Sequence, residues 1–322
     1  MSAHRLAALF PGQGAQYPGM IKELLGEFPS SKQLFEEASD ALGVNLTKLC
    51  LEGPEDQLQL TMNAQPAILT TSFAWFQTLR QVVDFQPQAG AGHSLGEYSA
   101  LLASGAMGLP EAVRLVRERG RLMQNAVPAG KGKMAALLGL EDEAARELCR
   151  LATQGETSLV VPANFNSPGQ VVIAGHAEAV DRASVLAGGE AHPHLKARKV
   201  IPLKVSAPFH CPLMKPVAEA FEASLRSVAW KPRRFGIVHN LDAAFRQEGD
   251  LVPLLRDQID HPVLWTQCQK ALEDQGTAHY FEMGPGRVLT GLGKRNAKGT
   301  FHNIESAADV KAAEKLFQET LR

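Results

Sequence analysis

The chain has 322 residues, of which 45% are hydrophobic and 21% are charged, so it contains enough apolar material for a large folded core. Lysine and arginine total 33 and aspartate and glutamate total 34; the net charge of −1 argues against nucleic acid as a partner. At this length, a large domain that carries a smaller one is favoured over a single compact core.

The N-terminal apolar run, residues 6–10, is too short for the core of a signal peptide, and we interpret it as a buried first strand. No segment approaches the roughly 20 apolar residues that would span a membrane. The four cysteines are scattered without a CxxC pair, which favours free thiols in a reducing compartment. The sequence therefore predicts a soluble, cytoplasmic protein with no membrane partner.

A glycine-rich turn, residues 11–16, follows the first strand. A second strand of small residues is predicted over 89–92, directly before Ser94. The spacing of apolar residues and the position of a proline predict three helices, over 31–42, from about Pro66 onward, and over 97–103. Strands that alternate with helices in this way predict a parallel, doubly wound sheet.

The segment 130–199 has a different order of elements. Strands are predicted over 134–140, 158–164, 170–174 and 199–205, and helices over 141–152 and 178–186. This β-α-β-β-α-β order is typical of ferredoxin-like units. We therefore predict a small ferredoxin-like subdomain over 130–199, inserted into a large subdomain formed by residues 1–129 and 200–322.

Residues 92–96 have the sequence Gly-His-Ser-Leu-Gly, which matches the G-x-S-x-G pattern of a nucleophile elbow. In such an elbow, a sharp turn between strand and helix lifts the serine hydroxyl clear of the sheet. The following helix offers unpaired N–H groups and the positive end of its dipole to a developing oxyanion. The pattern favours Ser94 as a nucleophile, with a tight turn and a capping serine as the alternative.

A nucleophilic serine needs a base, and the chain has ten histidines. Position alone favours His210, which follows the end of a predicted strand, where catalytic loops commonly lie. His93 adjoins the serine, but adjacent side chains on such a turn point in different directions. The other histidines considered lie in a polar loop or have no distinguishing surroundings: His192, His194, His239, His261 and His279.

Six segments together resemble one family, the malonyl-CoA:acyl carrier protein transacylases and the related acyltransferase domains of polyketide synthases. They are residues 10–16 (FPGQGAQ), 92–98 (GHSLGEY), 119–124 (RGRLMQ), 164–170 (NFNSPGQ), 208–211 (PFHC) and 284–286 (GPG). The segments occur in the order found in that family and cover nearly the whole chain.

The resemblance implies an α/β fold, with an α/β-hydrolase-like large subdomain that has a mostly parallel sheet and a ferredoxin-like small one. It implies a Ser–His dyad, in which Ser94 attacks a thioester and His210 takes its proton. The backbone carbonyl of Gln258 would orient the histidine in place of the usual triad acid. The N–H groups of Gln13 and Leu95 would form the oxyanion hole, and glycines on both sides of Gln13 let that backbone turn inward.

The resemblance also implies that Arg119 binds the substrate. A guanidinium can hold a carboxylate through two parallel hydrogen bonds and stays charged in a pocket. Malonyl-CoA ends in a free carboxylate and acetyl-CoA does not, so a buried arginine would bind an acetyl group poorly. Without the resemblance, a solvated helix charge beside Arg114, Arg117 and Arg121 would be the preferred interpretation.

Five further residues are predicted to lie near the acyl pocket: Gln65, Met123, Asn164, Asn166 and Phe209. Most have a structural alternative, which is a helix cap for Gln65, core packing for Met123 and turn formation for the asparagines. Phe209 resembles the malonyl-type pattern of the synthase domains and argues against a bulkier, branched extender unit.

The sequence therefore predicts ping-pong transfer of a malonyl group from malonyl-CoA to the phosphopantetheine thiol of an acyl carrier protein, for fatty-acid or polyketide synthesis. We expect no metal and no redox cofactor, since no cysteine–histidine spacing suggests metal ligands. The alternatives are a serine hydrolase that acts on carrier thioesters and a catalytically silent docking subunit. Two basic clusters are candidate docking surfaces for an acidic carrier protein: Lys196, Arg198 and Lys199, and Arg287, Lys294, Arg295 and Lys298.

Overall fold

The computed structural model describes residues 5–128, 130–189 and 192–321. Residues 1–4, 129 and 322 of the predicted large subdomain, and residues 190 and 191 of the small one, lie outside the described residues. The described part of the chain forms one sheet of six strands and one of four. No helix in this part is long and apolar enough to cross a membrane.

The described residues form ten strands: β1 (Arg5–Phe10), β2 (Ala89–Gly92), β3 (Gly132–Leu138), β4 (Val160–Ser167), β5 (Gln170–His176), β6 (Lys199–Pro202), β7 (Gly236–Val238), β8 (Phe245–Arg246), β9 (Thr277–Met283) and β10 (Thr300–Ile304). They also form fourteen α-helices: α1 (Lys22–Glu27), α2 (Ser31–Leu42), α3 (Leu46–Glu52), α4 (Glu55–Gln59), α5 (Thr61–Val82), α6 (Leu95–Ser104), α7 (Leu109–Gln124), α8 (Asp142–Ala152), α9 (Ala177–Gly188), α10 (Lys215–Arg226), α11 (Val252–Asp257), α12 (Trp265–Asp274), α13 (Val288–Asn296) and α14 (Ala307–Glu319).

The six-stranded sheet has the order β10-β9-β1-β2-β7-β8, and only the edge strand β8 runs antiparallel to its neighbour. This confirms the predicted mostly parallel sheet. The small residues of β2 have a steric cause, because a Cβ on Gly90 would come 2.7 Å from the ring of Phe235. Since β1 and β2 are neighbours, the loops that follow them meet at one edge of the sheet, where Ser94 lies.

The four-stranded sheet is antiparallel, with the order β4-β5-β3-β6, and α8 and α9 pack their apolar faces against it. From β3 to β6, the strands and α-helices occur in the predicted β-α-β-β-α-β order. Backbone hydrogen bonds between β4 and Val263 join this sheet to the segment before α12. The division of the chain into two subdomains stays a prediction.

The prediction that a helix begins near Pro66 is wrong. Helix α5 begins at Thr61, and Pro66 lies inside it. The preceding short helix α4 ends at Gln59, and the extended ψ of 129° at Leu60 lets the chain start a new helix at once. Gln65 is therefore a buried residue within α5 rather than a helix cap.

Candidate active site

Ser94 forms the turn between β2 and α6, with φ 52° and ψ −105°. Two glycines are required there by close backbone contacts. A Cβ on Gly92 would overlap the backbone of Gly96, and a Cβ on Gly96 would overlap the carbonyl of Phe10. The strand, the strained serine and the helix that begins at Leu95 together form the predicted elbow.

The structure brings Ser94 and His210 together. The Oγ of Ser94 lies 2.7 Å from Nε2 of His210, and Nδ1 of the same ring lies 2.9 Å from the backbone oxygen of Gln258. A carbonyl oxygen can only accept a hydrogen bond, so Nδ1 carries the ring proton and Nε2 is left to accept from the serine hydroxyl. These contacts join groups 116 and 48 residues apart in the chain.

Burial, followed by the positive charge of Arg119, lowers the pKa of His210 to about 3. The ring is therefore neutral at physiological pH, and it stays neutral well below pH 6.5, where an unperturbed histidine becomes protonated. A neutral imidazole whose Nε2 faces a serine hydroxyl is arranged as a general base.

Arg119 is on α7, and its side chain ends beside Ser94 with only 1% of the residue exposed. Its two terminal nitrogens donate to Oε1 of Gln65 at 3.0 Å, to Oε1 of Gln258 at 2.9 Å and to Oγ of Ser94 at 3.2 Å. The guanidinium carbon also lies 5.2 Å from the centre of the Tyr98 ring. Helix α7 can approach α5 this closely because it has a glycine at position 120, where a Cβ would come 2.6 Å from the backbone oxygen of Thr61.

Among the described residues, no carboxylate lies within ion-pair distance of Arg119. Its hydrogen-bond acceptors are neutral, and its Nε has no partner. Burial lowers the pKa of this guanidinium. By contrast, Arg121 on the same helix is exposed and paired with Glu118. The carboxylate of Glu97 acts on Arg119 at longer range, since Gln258 bonds both residues. Because a buried charge without a directly bonded counter-ion is unfavourable, this cavity is suited to an anionic group beside the nucleophile.

A cavity of about 500 Å³ contains the hydroxyl of Ser94. Nine of the residues predicted for the site line it: Gln13, Gln65, Ser94, Leu95, Arg119, Met123, Asn164, Phe209 and His210. Asn166 is not among the lining residues, but its side-chain oxygen lies 2.8 Å from Nε2 of His93, which does line the cavity. Gln258 lies below the cavity, where its backbone and side chain contact His210 and Arg119.

The two predicted oxyanion donors lie at the ends of neighbouring strands. Leu95 is the first residue of α6, so its N–H has no acceptor within the helix. Gln13 lies in the loop that follows β1 and lines the same cavity. The N–H of Ser94 itself is engaged, since it donates to the side chain of Asn240 at 2.7 Å. The oxyanion role of Gln13 and Leu95 stays a prediction.

Sequence reasoning missed a buried polar network beneath the elbow. Both oxygens of Glu97 accept hydrogen bonds, from Nδ1 of His239 at 2.7 Å, the backbone N–H of Asn240 at 3.0 Å and Nε2 of Gln258 at 2.7 Å. The same Nε2 donates to the carbonyl of Ser94 at 3.0 Å. One signal was present in the sequence, because Glu97 is the single charged residue in the wholly buried helix α6.

The two predicted basic clusters are exposed. The first, Lys196, Arg198 and Lys199, lies just before and at the start of β6. In the second, Arg287 pairs with Glu305 at 2.8 Å and Arg295 donates to the backbone oxygen of Pro168. Whether either cluster binds a carrier protein stays a prediction.

Comparison with known proteins gives a consistent result. Residues 8–316 match a family described as acyl transferase domain. The chain is 44% identical to the malonyl CoA-acyl carrier protein transacylase of Escherichia coli K12 over 292 residues, which cover 90% of the chain and 92% of that protein. It is 43% identical to the protein of the same name from Bacillus subtilis, with 90% of each chain covered.

Solved structures of malonyl transacylases are also similar to this chain. A malonyl-transacylase in complex with the acyl carrier protein of a type II polyketide synthase has a TM-score of 0.91 and 41% identity, with 97% of this chain and 99% of that chain covered. The malonyl CoA-acyl carrier protein transacylase of Coxiella burnetii has a TM-score of 0.92 and 37% identity, with 97% and 98% covered.

Proposed function

The chain belongs to the acyl transferase domain family, and from that premise we propose that it transfers a malonyl group from malonyl-CoA to an acyl carrier protein. The transfer has two half-reactions that share one covalent intermediate, a malonyl ester of Ser94. The carrier serves fatty-acid or polyketide synthesis, and one structural neighbour is bound to the acyl carrier protein of a type II polyketide synthase.

In the first half-reaction, the malonyl carboxylate binds Arg119 and Oγ of Ser94 attacks the thioester carbonyl. The serine proton passes to Nε2 of His210, and the N–H groups of Gln13 and Leu95 stabilise the oxyanion. When the tetrahedral intermediate collapses, the C–S bond breaks and the coenzyme A sulfur takes the proton from His210. The thiol of the carrier's phosphopantetheine then attacks the serine ester and reverses these steps.

The observation that carries the malonyl assignment is the unpaired charge of Arg119. Its terminal nitrogen lies 3.2 Å from the nucleophile, and its other partners are neutral amide oxygens. A malonyl carboxylate would supply the missing counter-ion, whereas an acetyl group would leave the buried charge unpaired. A general acyl hydrolase would gain nothing from such a group.

The proposal also covers the cell compartment and the cofactors. All four cysteines are buried and free, which supports the reducing environment of the cytoplasm. The chemistry proposed for Ser94, His210 and Arg119 needs no metal and no redox cofactor. Malonyl-CoA enters as a substrate.

The experiment incubates the protein with malonyl-CoA and measures its intact mass. We expect an added mass of one malonyl group, which is absent in Ser94→Ala and retained in Ser206→Ala, a control serine that lines the same cavity. Addition of a carrier protein that bears phosphopantetheine should move the malonyl group to the carrier. Carriers from both pathways distinguish fatty-acid from polyketide synthesis.

Two outcomes would contradict the proposal in different ways. Rapid release of free malonate in the absence of a carrier would indicate a serine hydrolase. No adduct with any acyl-CoA tested would indicate a silent docking subunit.

A further inference from the structure

The backbone of Ser94 is held in an unfavourable conformation. Its φ of 52° is uncommon for a residue with a Cβ, and such conformations persist only where the surrounding structure holds them. The buried network beneath the elbow therefore has to supply contacts that fix the backbone on both sides of the serine.

Asn240 makes two such contacts with one side chain. Its Oδ1 accepts from the backbone N–H of Ser94 at 2.7 Å, and its Nδ2 donates to the backbone oxygen of Gly92 at 2.8 Å. The residue is fully buried. The amide has one possible orientation here, because the N–H of Ser94 can only donate and the carbonyl of Gly92 can only accept.

These two bonds continue the pairing of β2 with β7. The strands are parallel, with Ala89 opposite Gly236 and Ala91 opposite Val238, so this register, continued by two residues, places His93 opposite Asn240. In a parallel ladder, a residue bonds through its own N–H and C=O to the two residues that flank its partner. Here those flanking residues are Gly92 and Ser94, and the side-chain amide of Asn240 makes both bonds.

The backbone of Asn240 cannot make these bonds, since it is already engaged. Its N–H donates to Oε2 of Glu97 at 3.0 Å, and its carbonyl accepts from the N–H of Leu264 at 3.1 Å. The main chain of β7 has left the sheet at this point, and the side chain of Asn240 extends the ladder to a position two residues beyond Val238.

We propose that Asn240 is the positioning residue of the nucleophile, and this inference rests on the proposed role of Ser94. The amide holds the elbow so that Oγ stays at 2.7 Å from His210. It also occupies the N–H of Ser94, which leaves the neighbouring N–H of Leu95 to face an oxyanion. Because Asn240 acts on the nucleophile and not on the acyl group, its loss should slow attack on every electrophile alike.

The test compares two reagents. Phenylmethanesulfonyl fluoride reports the reactivity of Ser94 without using the carboxylate site: Oγ attacks sulfur, an S–O bond forms, the S–F bond breaks, fluoride leaves and the proton passes to His210. The rate of each adduct, sulfonyl and malonyl, is followed by intact mass in the wild type, Asn240→Ala and Asn240→Asp. For malonyl-CoA, the concentration that gives half the maximal rate is measured as well.

We expect Asn240→Ala to react about 10- to 100-fold more slowly with both reagents, with an unchanged half-saturating concentration of malonyl-CoA. Asn240→Asp conserves volume but places an acceptor against the carbonyl of Gly92, so it should be slowed at least as much. The matched control is Gln269→Ala, which removes another fully buried amide, one bonded to Asn296 and without a hydrogen bond to the elbow. It should lower the melting temperature but keep the wild-type rates.

Three results would overturn the role of Asn240: wild-type rates in both Asn240 variants, an equal loss of rate in Gln269→Ala, or a change confined to the half-saturating concentration. Failure of the proposed function has a different signature. A wild type that forms the sulfonyl adduct but no malonyl adduct contradicts malonyl transfer, while the sulfonyl rates of the variants still decide the role of Asn240.

Discussion

The two sides of the cavity differ in how completely their polar groups are satisfied. On the reaction side, Ser94 bonds His210, and His210 in turn bonds the backbone of Gln258. On the recognition side, Arg119 carries a buried charge that meets only neutral acceptors. The reaction side acts on the thioester carbonyl that every acyl-CoA has. The recognition side lacks an anionic partner, and in the proposed function the malonyl carboxylate supplies it.

The two sides are joined directly, because Arg119 donates to Oγ of Ser94 at 3.2 Å, and also through Gln258. Its backbone oxygen orients His210, its side-chain oxygen accepts from Arg119, and its side-chain nitrogen donates to Glu97. A substitution on one side can therefore disturb the other unless it leaves Gln258 in place. Substitutions on each side test whether reaction and recognition can be changed independently, by comparing acylation rates with malonyl-CoA and acetyl-CoA.

The largest effect is expected on the reaction side. His210→Ala removes the base, so we expect acylation by both malonyl-CoA and acetyl-CoA to fall by about 10²- to 10⁴-fold. Single-turnover rates from intact mass measure this, with His194→Ala, an exposed histidine that precedes β6, as the control. A loss confined to malonyl-CoA would show that His210 acts on recognition instead.

The next largest effect is expected from removing the positive charge of Arg119. Arg119→Ala should slow malonyl acylation by about 100-fold or more, because a buried charge pair can no longer form. Acetyl acylation should fall far less, by no more than follows from the lost bond between Arg119 and Oγ of Ser94. Arg121→Ala, two residues along the same helix and exposed, is the control and should keep both rates. Equal losses for both substrates in Arg119→Ala would mean that the two sides are not separable.

A smaller effect is expected for Gln65→Leu. This substitution keeps the buried volume but removes the acceptor 3.0 Å from Arg119, so we expect roughly a 10-fold loss with malonyl-CoA. The rate with acetyl-CoA should stay near that of the wild type. A comparable loss with acetyl-CoA would place Gln65 on the reaction side.

The smallest effect is expected from lowering the pH at which the acylation rate is measured. Burial and the charge of Arg119 hold the pKa of His210 at about 3, so the base stays deprotonated and the acylation rate should be flat from pH 8 to pH 5. An unperturbed histidine with a pKa of 6.5 would be protonated below that value and would lose about 30-fold by pH 5. Such a loss, with folding verified by circular dichroism, would contradict the buried environment assigned to His210.

The sequence predicted the residues of the reaction side better than the buried polar residues that hold them in place. Ser94 lies in a short local pattern. The resemblance to known transacylases predicted His210, Gln258 and Arg119, and the structure brings these residues together. Glu97 and Asn240 were missed because they meet across 143 residues of chain, and no local spacing encodes such a contact. Buried polar pairs between distant segments depend on tertiary packing, which periodicity does not describe.

The same limit applies to the contacts of two residues predicted near the acyl pocket. Asn166 bonds the ring of His93, a residue that lines the cavity, across 73 residues of chain. Gln65 was assigned to the pocket or to a helix cap. Its specific contact with Arg119 depends on how closely α5 and α7 approach, and Gly120 permits that approach.

In the proposed function, Ser94 carries a malonyl group because Arg119 binds its carboxylate. The most direct test mixes equal concentrations of malonyl-CoA and acetyl-CoA with the protein and measures the ratio of the two adducts on Ser94 by intact mass. We predict a wild-type ratio strongly in favour of malonyl, which falls by about 100-fold in Arg119→Ala. An unchanged ratio in that variant would contradict the account.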